Sequence, residues 1–294
     1  EEIGDLMGMA LAYNNIGLVY ESQENLSEAL KNHFKSLKIM LKIGNKKGAG
    51  NSYNNIGNIY QSMSDYPAAL TNYFASLRLM EKIGNKMAIA TVHNNIGNIY
   101  SWQHHNHEAL KSYFISLKIR RDIGDETGLA STYANIGSAY VDEGNPAAAK
   151  NWLDSGLVFS LRSGSKEITK ACYGSFYKSD STLAYTAGRS GNKRLENGYS
   201  RSALHNYKMY ILYNDSMLNE ENTKKTVQTE MQYEFDKKEA AGKLEQEKKD
   251  VLARAGRLAR HHRVERGIEE HRRQPIDQRV ERFAGPLGQP RAAT

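Results

Sequence analysis

One heptapeptide occurs twice in this chain at an interval of forty residues, and this repetition constrains the fold more than any other feature. The sequence NNIGNIY occupies residues 54–60 and again residues 94–100, and related versions stand at residues 14–20 and 134–140. Near-identical segments at a fixed spacing are typical of stacked arrays, in which each unit buries its apolar face against its neighbours. The sequence therefore predicts a repeat array.

Each unit contains two helical patterns separated by a turn. In the first pattern Tyr53, Ile56 and Tyr60 fall at i, i+3 and i+7, which places them on one face of a helix. In the second pattern the apolar residues between Ala69 and Leu77 recur at helical spacing as well. The unit is therefore predicted to be a pair of antiparallel helices.

Polar and glycine residues mark the predicted helix ends. Asp65 and Asn85 are predicted N-caps, and Gly84 is predicted to end a second helix in the left-handed conformation. Another glycine lies inside each first helix, where it costs about 1 kcal/mol relative to alanine. We expect it to let the paired helix approach closely, with an alanine as its small counterpart. These residues are Gly17, Gly57, Gly97 and Gly137, with Ala29, Ala69, Ala109 and Ala149.

From about Leu6 to Tyr213 this pattern of an aromatic residue, apolar-Gly, Tyr, Ala and a second aromatic resembles the tetratricopeptide repeat. The period is forty residues, where the common form has about thirty-four. The extra residues fall at segments such as 42–48, as in the longer-repeat subfamily that includes the kinesin light chain type. HEAT and armadillo repeats have similar lengths but lack the Asn-Ile-Gly and Ala-Leu pairing. The resemblance implies an all-α, right-handed superhelical solenoid of antiparallel helix pairs, with the first helices lining its concave surface.

The chain is expected to contain three parts. Residues 1–218 should form the array, with a partial first repeat, four regular copies and a degenerate last copy that carries an inserted loop at residues 189–199. Residues 219–253 should form a long charged helix, and residues 254–294 an arginine-rich tail. At the start, residues 3–5 match Ile-Gly-Asn at 43–45, so we expect the tail end of a helix whose body is missing.

The first helices carry carboxamides opposite the predicted packed face. At 100 degrees per residue, positions such as Asn51, Asn54 and Asn58 point away from Tyr53 and Ile56. A carboxamide has donors and an acceptor, so a row of them can hold the backbone of an extended peptide. Related long-repeat proteins use groove asparagines in this way. The predicted groove residues are Asn14, Asn51, Asn54, Asn58, Gln61, Asn94, Asn98, Trp102 and Ser138.

Two of these assignments have alternatives. The next asparagine along each first helix either faces the groove as well or ties neighbouring repeats together through backbone hydrogen bonds. Trp102 is either a ligand anchor or a packing residue at a helix end. The four asparagines concerned are Asn15, Asn55, Asn95 and Asn135.

No catalytic, metal or cofactor site is expected. The sequence contains no phosphate-binding glycine loop, no nucleophile elbow and no convergent carboxylate pair. His104, His105 and His107 fall in a predicted turn and are not expected to bind a metal. The single cysteine, Cys172, is expected to be a small buried apolar residue. We therefore expect a protein that is not an enzyme.

Residues 219–253 resemble the juxtamembrane helix of bacterial sensor proteins, in segments that read NEENTKK and MQYEFDKKEAA. In those proteins tetratricopeptide repeats precede a membrane span and a histidine kinase, nucleotide cyclase or DNA-binding regulator. The resemblance favours a periplasmic compartment, with a cytoplasmic one as the alternative if the resemblance does not hold, and a membrane contact only through a downstream segment. The helix is either solvated or a weak coiled coil that forms a homodimer through the stripe Val227, Met231, Phe235, Leu244, Val251 and Leu258.

Residues 254–294 contain ten arginines and no lysine, whereas the preceding residues are richer in lysine. This change favours a tail that is disordered or non-native, for instance translated out of frame. The alternative is a basic arm for nucleic acid or an anionic membrane. Residues 1–253 have a net charge near +2, so the array itself has no broad charge footprint for phosphate.

These observations favour a peptide-binding or protein-binding module that serves as the sensor or scaffold part of a bacterial signalling protein. One alternative is a dimerising regulatory fragment of a kinase or cyclase whose catalytic domain is absent. A less favoured alternative is a nucleic-acid adaptor that uses the basic tail.

Overall fold

The computed structural model describes residues 2–273. Within this range the chain forms ten helices and no strand. In chain order they are α1 (Glu2–Ser22), α2 (Leu26–Lys42), α3 (Lys46–Ser62), α4 (Tyr66–Lys82), α5 (Lys86–Trp102), α6 (Asn106–Ile123), α7 (Glu126–Asp142), α8 (Pro146–Ser163), α9 (Lys166–Arg189) and α10 (Lys193–Arg273). The odd-numbered helices are called the first helices below, and the even-numbered ones the second helices.

The helices pack in successive pairs. Within each regular pair the first helix packs along the second, and the second helix then packs on the first helix of the next pair. At one such junction Leu77 of α4 is buried with Val92 and Ile96 of α5. The same arrangement buries Leu37 against Ile56 one pair earlier. The predicted all-α solenoid of antiparallel helix pairs is confirmed.

The predicted helix ends are confirmed at the turns. The side chains of Asp65 and Asn85 each accept a hydrogen bond from the backbone amide three residues later. Gly84 has φ +67° and ends α4 in the left-handed conformation. The turn inside a pair uses a left-handed residue too, although it is not glycine in the first three pairs: Glu24, Ser64 and His104 take φ near +60°.

The glycine inside each first helix lies under a large side chain of the second helix. A Cβ added to Gly57 would stand 2.6 Å from Cε1 of Tyr73, and one added to Gly97 would stand 2.5 Å from Cε1 of Tyr113. The expectation that the counterpart is the small Ala69 is therefore wrong. That alanine is fully buried, but the aromatic ring one helical turn later covers the bare backbone, because only glycine leaves room for it.

His33 takes the place of this aromatic residue in the first pair. Its ring lies over Gly17, where an added Cβ would be 2.7 Å from Cε1. The side chain is fully buried, and neither ring nitrogen has a hydrogen-bond partner. Burial lowers the pKa of His33 below its ordinary value of 6.5, because the charged imidazolium is poorly solvated there.

The last pair departs from the predicted outline. The expected loop at 189–199 is confined to Ser190–Asn192, and residues 193–199 already belong to α10. The cap explains this early start, because the side chain of Asn192 accepts a hydrogen bond from the amide of Leu195. At the position of the usual glycine this pair has Tyr177, whose ring lies 5.1 Å from that of Tyr207.

The start of the chain also differs from expectation. Gly4 lies inside α1 and does not end a helix there. At the equivalent Gly44, the backbone amide donates to the carbonyl of Leu41 in the preceding helix. Here α1 runs unbroken from Glu2 through Gly4 to Ser22.

The chain divides into two compact units, Glu1–Asn219 and Glu220–Thr294. In the second unit, Val227 and Met231 of α10 are exposed, as a dimer stripe requires, and the coiled coil stays a prediction. The side chains of the other predicted stripe residues lie outside the part that the structure describes. They are Phe235, Leu244, Val251 and Leu258.

The tail predicted to be disordered begins at residue 254. Residues 254–273 belong to α10, whereas residues 274–294 lie outside the described residues. Within residues 2–273, none of the helices combines the length and apolar character that a membrane span requires.

Gly57→Ala is expected to destabilise the array although alanine favours helix. The new methyl group would collide with the Tyr73 ring, at a cost of about 1 to 3 kcal/mol that exceeds the gain of about 1 kcal/mol in helix propensity. Urea unfolding followed by circular dichroism measures the change. Gly8→Ala is the matched control, because Gly8 is in helix α1 with no atom within 4 Å of an added Cβ. A Gly57→Ala variant as stable as this control would contradict the packing argument.

Stability is expected to depend on pH through His33. Because burial lowers its pKa in the folded state, the unfolded chain takes up a proton first as the pH falls, so the free energy of unfolding decreases below about pH 6.5. His33→Leu, which copies Leu153 of the fourth pair, should remove this part of the pH dependence. Urea midpoints between about pH 7.5 and 5.5 measure it, and the exposed His107→Leu should behave like the unsubstituted chain. Parallel pH profiles for His33→Leu and the unsubstituted chain would refute the assignment.

Candidate functional site

Asparagine side chains join successive first helices through hydrogen bonds. The Nδ2 group of one asparagine donates to the Oδ1 atom of an asparagine on the preceding first helix, 41 residues earlier. The three bonds are Asn55 to Asn14 at 3.0 Å, Asn95 to Asn54 at 3.2 Å and Asn135 to Asn94 at 3.2 Å. We call this series the amide ladder. It runs through α1, α3, α5 and α7.

Two of the donors have a second acceptor. Asn95 Nδ2 also lies 3.4 Å from Asn58 Oδ1, and Asn135 Nδ2 lies 3.0 Å from Asn98 Oδ1. Each of these asparagines therefore connects to both groove positions of the preceding first helix, one turn apart. The ladder ends at α7 because that helix carries Ala134 and Ser138 at the acceptor positions.

Tyrosines of the second helices donate hydrogen bonds to the oxygen atoms of Asn58 and Asn98 as well. Tyr73 Oη lies 2.8 Å from Asn58 Oδ1 and 2.7 Å from Gln61 Oε1, and its single proton can serve only one of them at a time. Tyr113 Oη lies 2.9 Å from Asn98 Oδ1. Burial raises the pKa of both hydroxyls above the ordinary value for tyrosine, so they remain protonated donors.

These bonds orient the groove carboxamides. The oxygen atoms of Asn14, Asn54 and Asn58 accept hydrogen bonds from within the array. Among the described residues, their Nδ2 groups have no acceptor, and the same holds for Asn94 and Asn98. An amide group whose oxygen is engaged leaves two N–H donors free. The site therefore offers mainly hydrogen-bond donors.

Three predicted groove residues meet at one cavity. Asn14, Asn51 and Asn54 line a cavity of about 350 Å³ together with Met80 and Val92. Asn51 is exposed, and its side chain makes no hydrogen bond within the described residues. The cavity lining thus combines partly exposed amides with the buried apolar side chains of Met80 and Val92, a combination typical of ligand sites.

The other predicted groove residues are less engaged. Trp102 stacks on Tyr66 of α4 at a ring-centroid distance of 6.1 Å and remains half exposed. It therefore packs, and it keeps enough free surface to contact a ligand. Ser138 is partly buried, and its hydroxyl makes no hydrogen bond among the described side chains. The assignment of all nine residues to a ligand site stays a prediction.

The structure resolves the alternative for the following asparagines. Asn55, Asn95 and Asn135 do tie neighbouring repeats together, but through side-chain amides and not through backbone groups. Asn15 is exposed, and the described residues include no partner for its side chain. The part of Tyr73 and Tyr113 was missed, because the pattern assigned tyrosines to the core. The only sequence signal is their constant position fifteen residues after Asn58 and Asn98.

The described residues contain no group of three or more His, Cys, Asp or Glu that could hold a metal ion. His104 and His105 lie at the turn between α5 and α6. Cys172 is fully buried as predicted, and burial raises the pKa of its thiol to about 12, so it remains a neutral thiol.

Residues 8–82 and 130–157 match family models of the tetratricopeptide repeat. Together with the paired helices and their repeated junctions, these matches define the class of the molecule. Residues 8–82 and 130–157 are tetratricopeptide repeats, and the array has the fold of a tetratricopeptide repeat solenoid. Repeats of this class mediate protein–protein interactions and are generally non-catalytic scaffolds. A comparison with curated protein sequences found no significant match.

Several solved structures share the fold at low sequence identity. One is a signal transduction ATPase with numerous domains and a tetratricopeptide repeat sensor, PH0952 from Pyrococcus horikoshii, with 19% identity and a TM-score of 0.56 over 75% of this chain and 33% of that one. The apo form of RapI has 16% identity and a TM-score of 0.54 over 69% of this chain and 84% of that one. Aspartyl phosphate phosphatase F from Bacillus subtilis has 12% identity and a TM-score of 0.53 over 69% of this chain and 60% of that one. The chain thus spans less than two thirds of two of these proteins.

Asn95→Ala is expected to weaken the junction between α3 and α5. The substitution removes the donor to Asn54 and Asn58, so the free energy of unfolding should fall by about 1 to 2 kcal/mol. Asn51→Ala is the matched control, and its stability should stay within about 0.5 kcal/mol of the unsubstituted chain. Urea unfolding compares the two variants, and equal stabilities would mean that the ladder contributes nothing to the array.

Proposed function

We propose that the concave face of this array binds an extended segment of a protein or peptide through the free amides of the ladder. The observation that carries the proposal is the orientation of the carboxamides. Their oxygens are engaged inside the array, and their N–H groups are free. The backbone of an extended peptide presents carbonyl oxygens at regular intervals whatever its side chains are. Donors held in a row match this feature of any sequence.

The contribution of each amide to binding is small. A hydrogen bond between neutral groups adds about 0.5 to 1.5 kcal/mol net. Affinity must therefore come from several first helices acting together. Asn14, Asn54 and Asn94 are equivalent positions on α1, α3 and α5, but Asn94 is buried, so Asn98 is the more exposed amide of α5. The ladder lowers the cost of binding, because it fixes side chains that would otherwise lose rotamer freedom when the ligand arrives.

The charges of the groove favour hydrogen bonding over ion pairing. All nine groove residues are uncharged, and Lys178, on the last first helix, already pairs with Asp142. A ligand held by neutral amides should bind with little dependence on salt, unlike a nucleic acid, whose binding releases counterions. This supports a polypeptide ligand over the nucleic-acid alternative.

We further propose that the array is the sensor or scaffold part of a signalling protein. The repeats of PH0952 are described as a sensor. The likeness to that protein is one of fold, so the role of its repeats comes to this chain only as a proposal. Helix α10, which continues from the last repeat through residue 273, is the element that would pass ligand occupancy to an effector.

A peptide-library pulldown with an Asn58→Asp, Asn98→Asp variant tests the groove. Aspartate keeps the oxygen that accepts from Tyr73 or Tyr113, so the fold should be retained, but it replaces the free N–H donors by a negatively charged oxygen. Peptide capture should fall by about tenfold or more. The matched control changes two exposed asparagines outside the groove, Asn151→Asp and Asn197→Asp. Equal capture by both variants would overturn the site.

A further inference from the structure

The two helix layers of the array differ in charge. The first helices α1, α3, α5 and α7 contain three lysines and five acidic residues. The second helices α2, α4 and α6 contain ten lysines and arginines and only four acidic residues. The near neutrality of the array therefore hides a basic layer on the side away from the amide ladder.

The basic layer carries exposed phenylalanines at the interval of the repeat. Phe34, Phe74 and Phe114 occupy equivalent positions of α2, α4 and α6, and their exposed fractions are 42%, 42% and 36%. Each phenylalanine directly follows the buried residue that covers the glycine of the first helix, such as Tyr73. It therefore points about 100 degrees away from the interior of the pair. Phenylalanine side chains that keep this much exposed surface in three successive pairs form an apolar row.

A cation follows each phenylalanine on the same helix face. Lys38, Arg78 and Lys118 stand four residues after the three phenylalanines, where side chains on a helix are neighbours. All three are exposed, and none makes an ion pair with a described residue. We call these six residues the aromatic–cation strip. In α8 the same positions carry Asp154 and Val158, so the strip ends at α6.

We propose that the aromatic–cation strip is a docking surface for an acidic amphipathic segment of a partner protein. Each of the three helices presents one apolar side chain and one free cation. Because successive pairs stack through the same junction, the three sets lie along one face of the array. A segment that alternates apolar side chains with carboxylates would cover the phenylalanines and neutralise the cations together. Asp154, where a fourth phenylalanine would stand, would repel a longer acidic segment and so limit its length.

The surroundings of Phe114 favour a polypeptide over single-stranded nucleic acid. Its ring packs against Trp152 of α8 in an edge-to-face arrangement at 5.5 Å between centroids. Bases bind proteins by stacking on free ring faces. A ring that already packs against a neighbour offers less face for stacking, but its exposed edge still contacts aliphatic side chains.

The test is fluorescence anisotropy with a labelled synthetic peptide of repeated Asp-Glu-Leu-Phe units. We expect saturable binding to the full chain. Lys38→Glu, Arg78→Glu, Lys118→Glu together should weaken it by about tenfold or more, since three cations of the interface become repulsive. The matched control, Lys46→Glu, Lys47→Glu, Lys86→Glu, reverses three exposed cations at the starts of first helices and gives the same net charge. It should stay within about twofold of the unsubstituted chain.

A second variant tests the apolar half of the strip. Phe34→Ala, Phe74→Ala, Phe114→Ala leaves every charge in place and should also weaken binding by about tenfold. Circular dichroism establishes that each variant keeps its helical content. The Asn58→Asp, Asn98→Asp groove variant should bind the acidic peptide like the unsubstituted chain. The proposals for the groove and for the strip are therefore tested independently.

Three results would overturn the proposal. The first is an acidic peptide that does not bind saturably. The second is a matched control that weakens binding as much as the strip variant, since net charge alone would then explain the effect. The third is that labelled oligothymidine binds more tightly than the acidic peptide and that its binding depends on the same strip residues. This result would assign the surface to nucleic acid.

Discussion

In the first three pairs, the contact between a bare stretch of helix backbone and a ring of the second helix determines how closely the two helices pack. At Gly57 no side chain separates the two helices, and the ring of Tyr73 lies directly on the backbone. The ring fills the space between the helices, and its buried hydroxyl reaches the side chains of Asn58 and Gln61 on the first helix. Gly57, which weakens the helix, is thus required for the Tyr73 hydroxyl to reach the groove residues.

The consequence of that placement is a chain of fixed side chains. The Tyr73 hydroxyl reaches Asn58 Oδ1, and Asn95 from the next pair donates to the same atom. With its oxygen engaged, the carboxamide can turn only its N–H groups outward. Where the second helix carries Leu153 in place of tyrosine, the first helix has Ser138 in place of asparagine, and the ladder goes no further. Packing inside a pair and the chemistry of the groove therefore vary together along the chain.

Sequence periodicity was sufficient for the fold because the residues that decide it act locally or between neighbours. The N-cap of Asp65, the left-handed Gly84 and the apolar face of Ile56 follow from spacing alone. The partner of the internal glycine did not follow, because helical spacing does not show which turn of the facing helix lies opposite. The amide ladder could not be predicted for the same reason. A hydrogen bond between Asn95 and Asn54 depends on the relative axial position of α3 and α5, which are connected only through α4.

The distribution of charge shows a further limit of reading a repeat array along the chain. Charge counted in sequence order averages first and second helices and gives a neutral array, whereas stacking collects the helices into two layers of opposite sign. The neutral amides lie on the first helices, and the phenylalanine and cation row lies on the basic second helices. Because each pair contributes once to each layer, a substitution in one helix of the pair changes one surface and leaves the other intact. The two proposed surfaces, one for a peptide backbone and one for an acidic side-chain pattern, therefore lie on different helices of the same forty-residue unit.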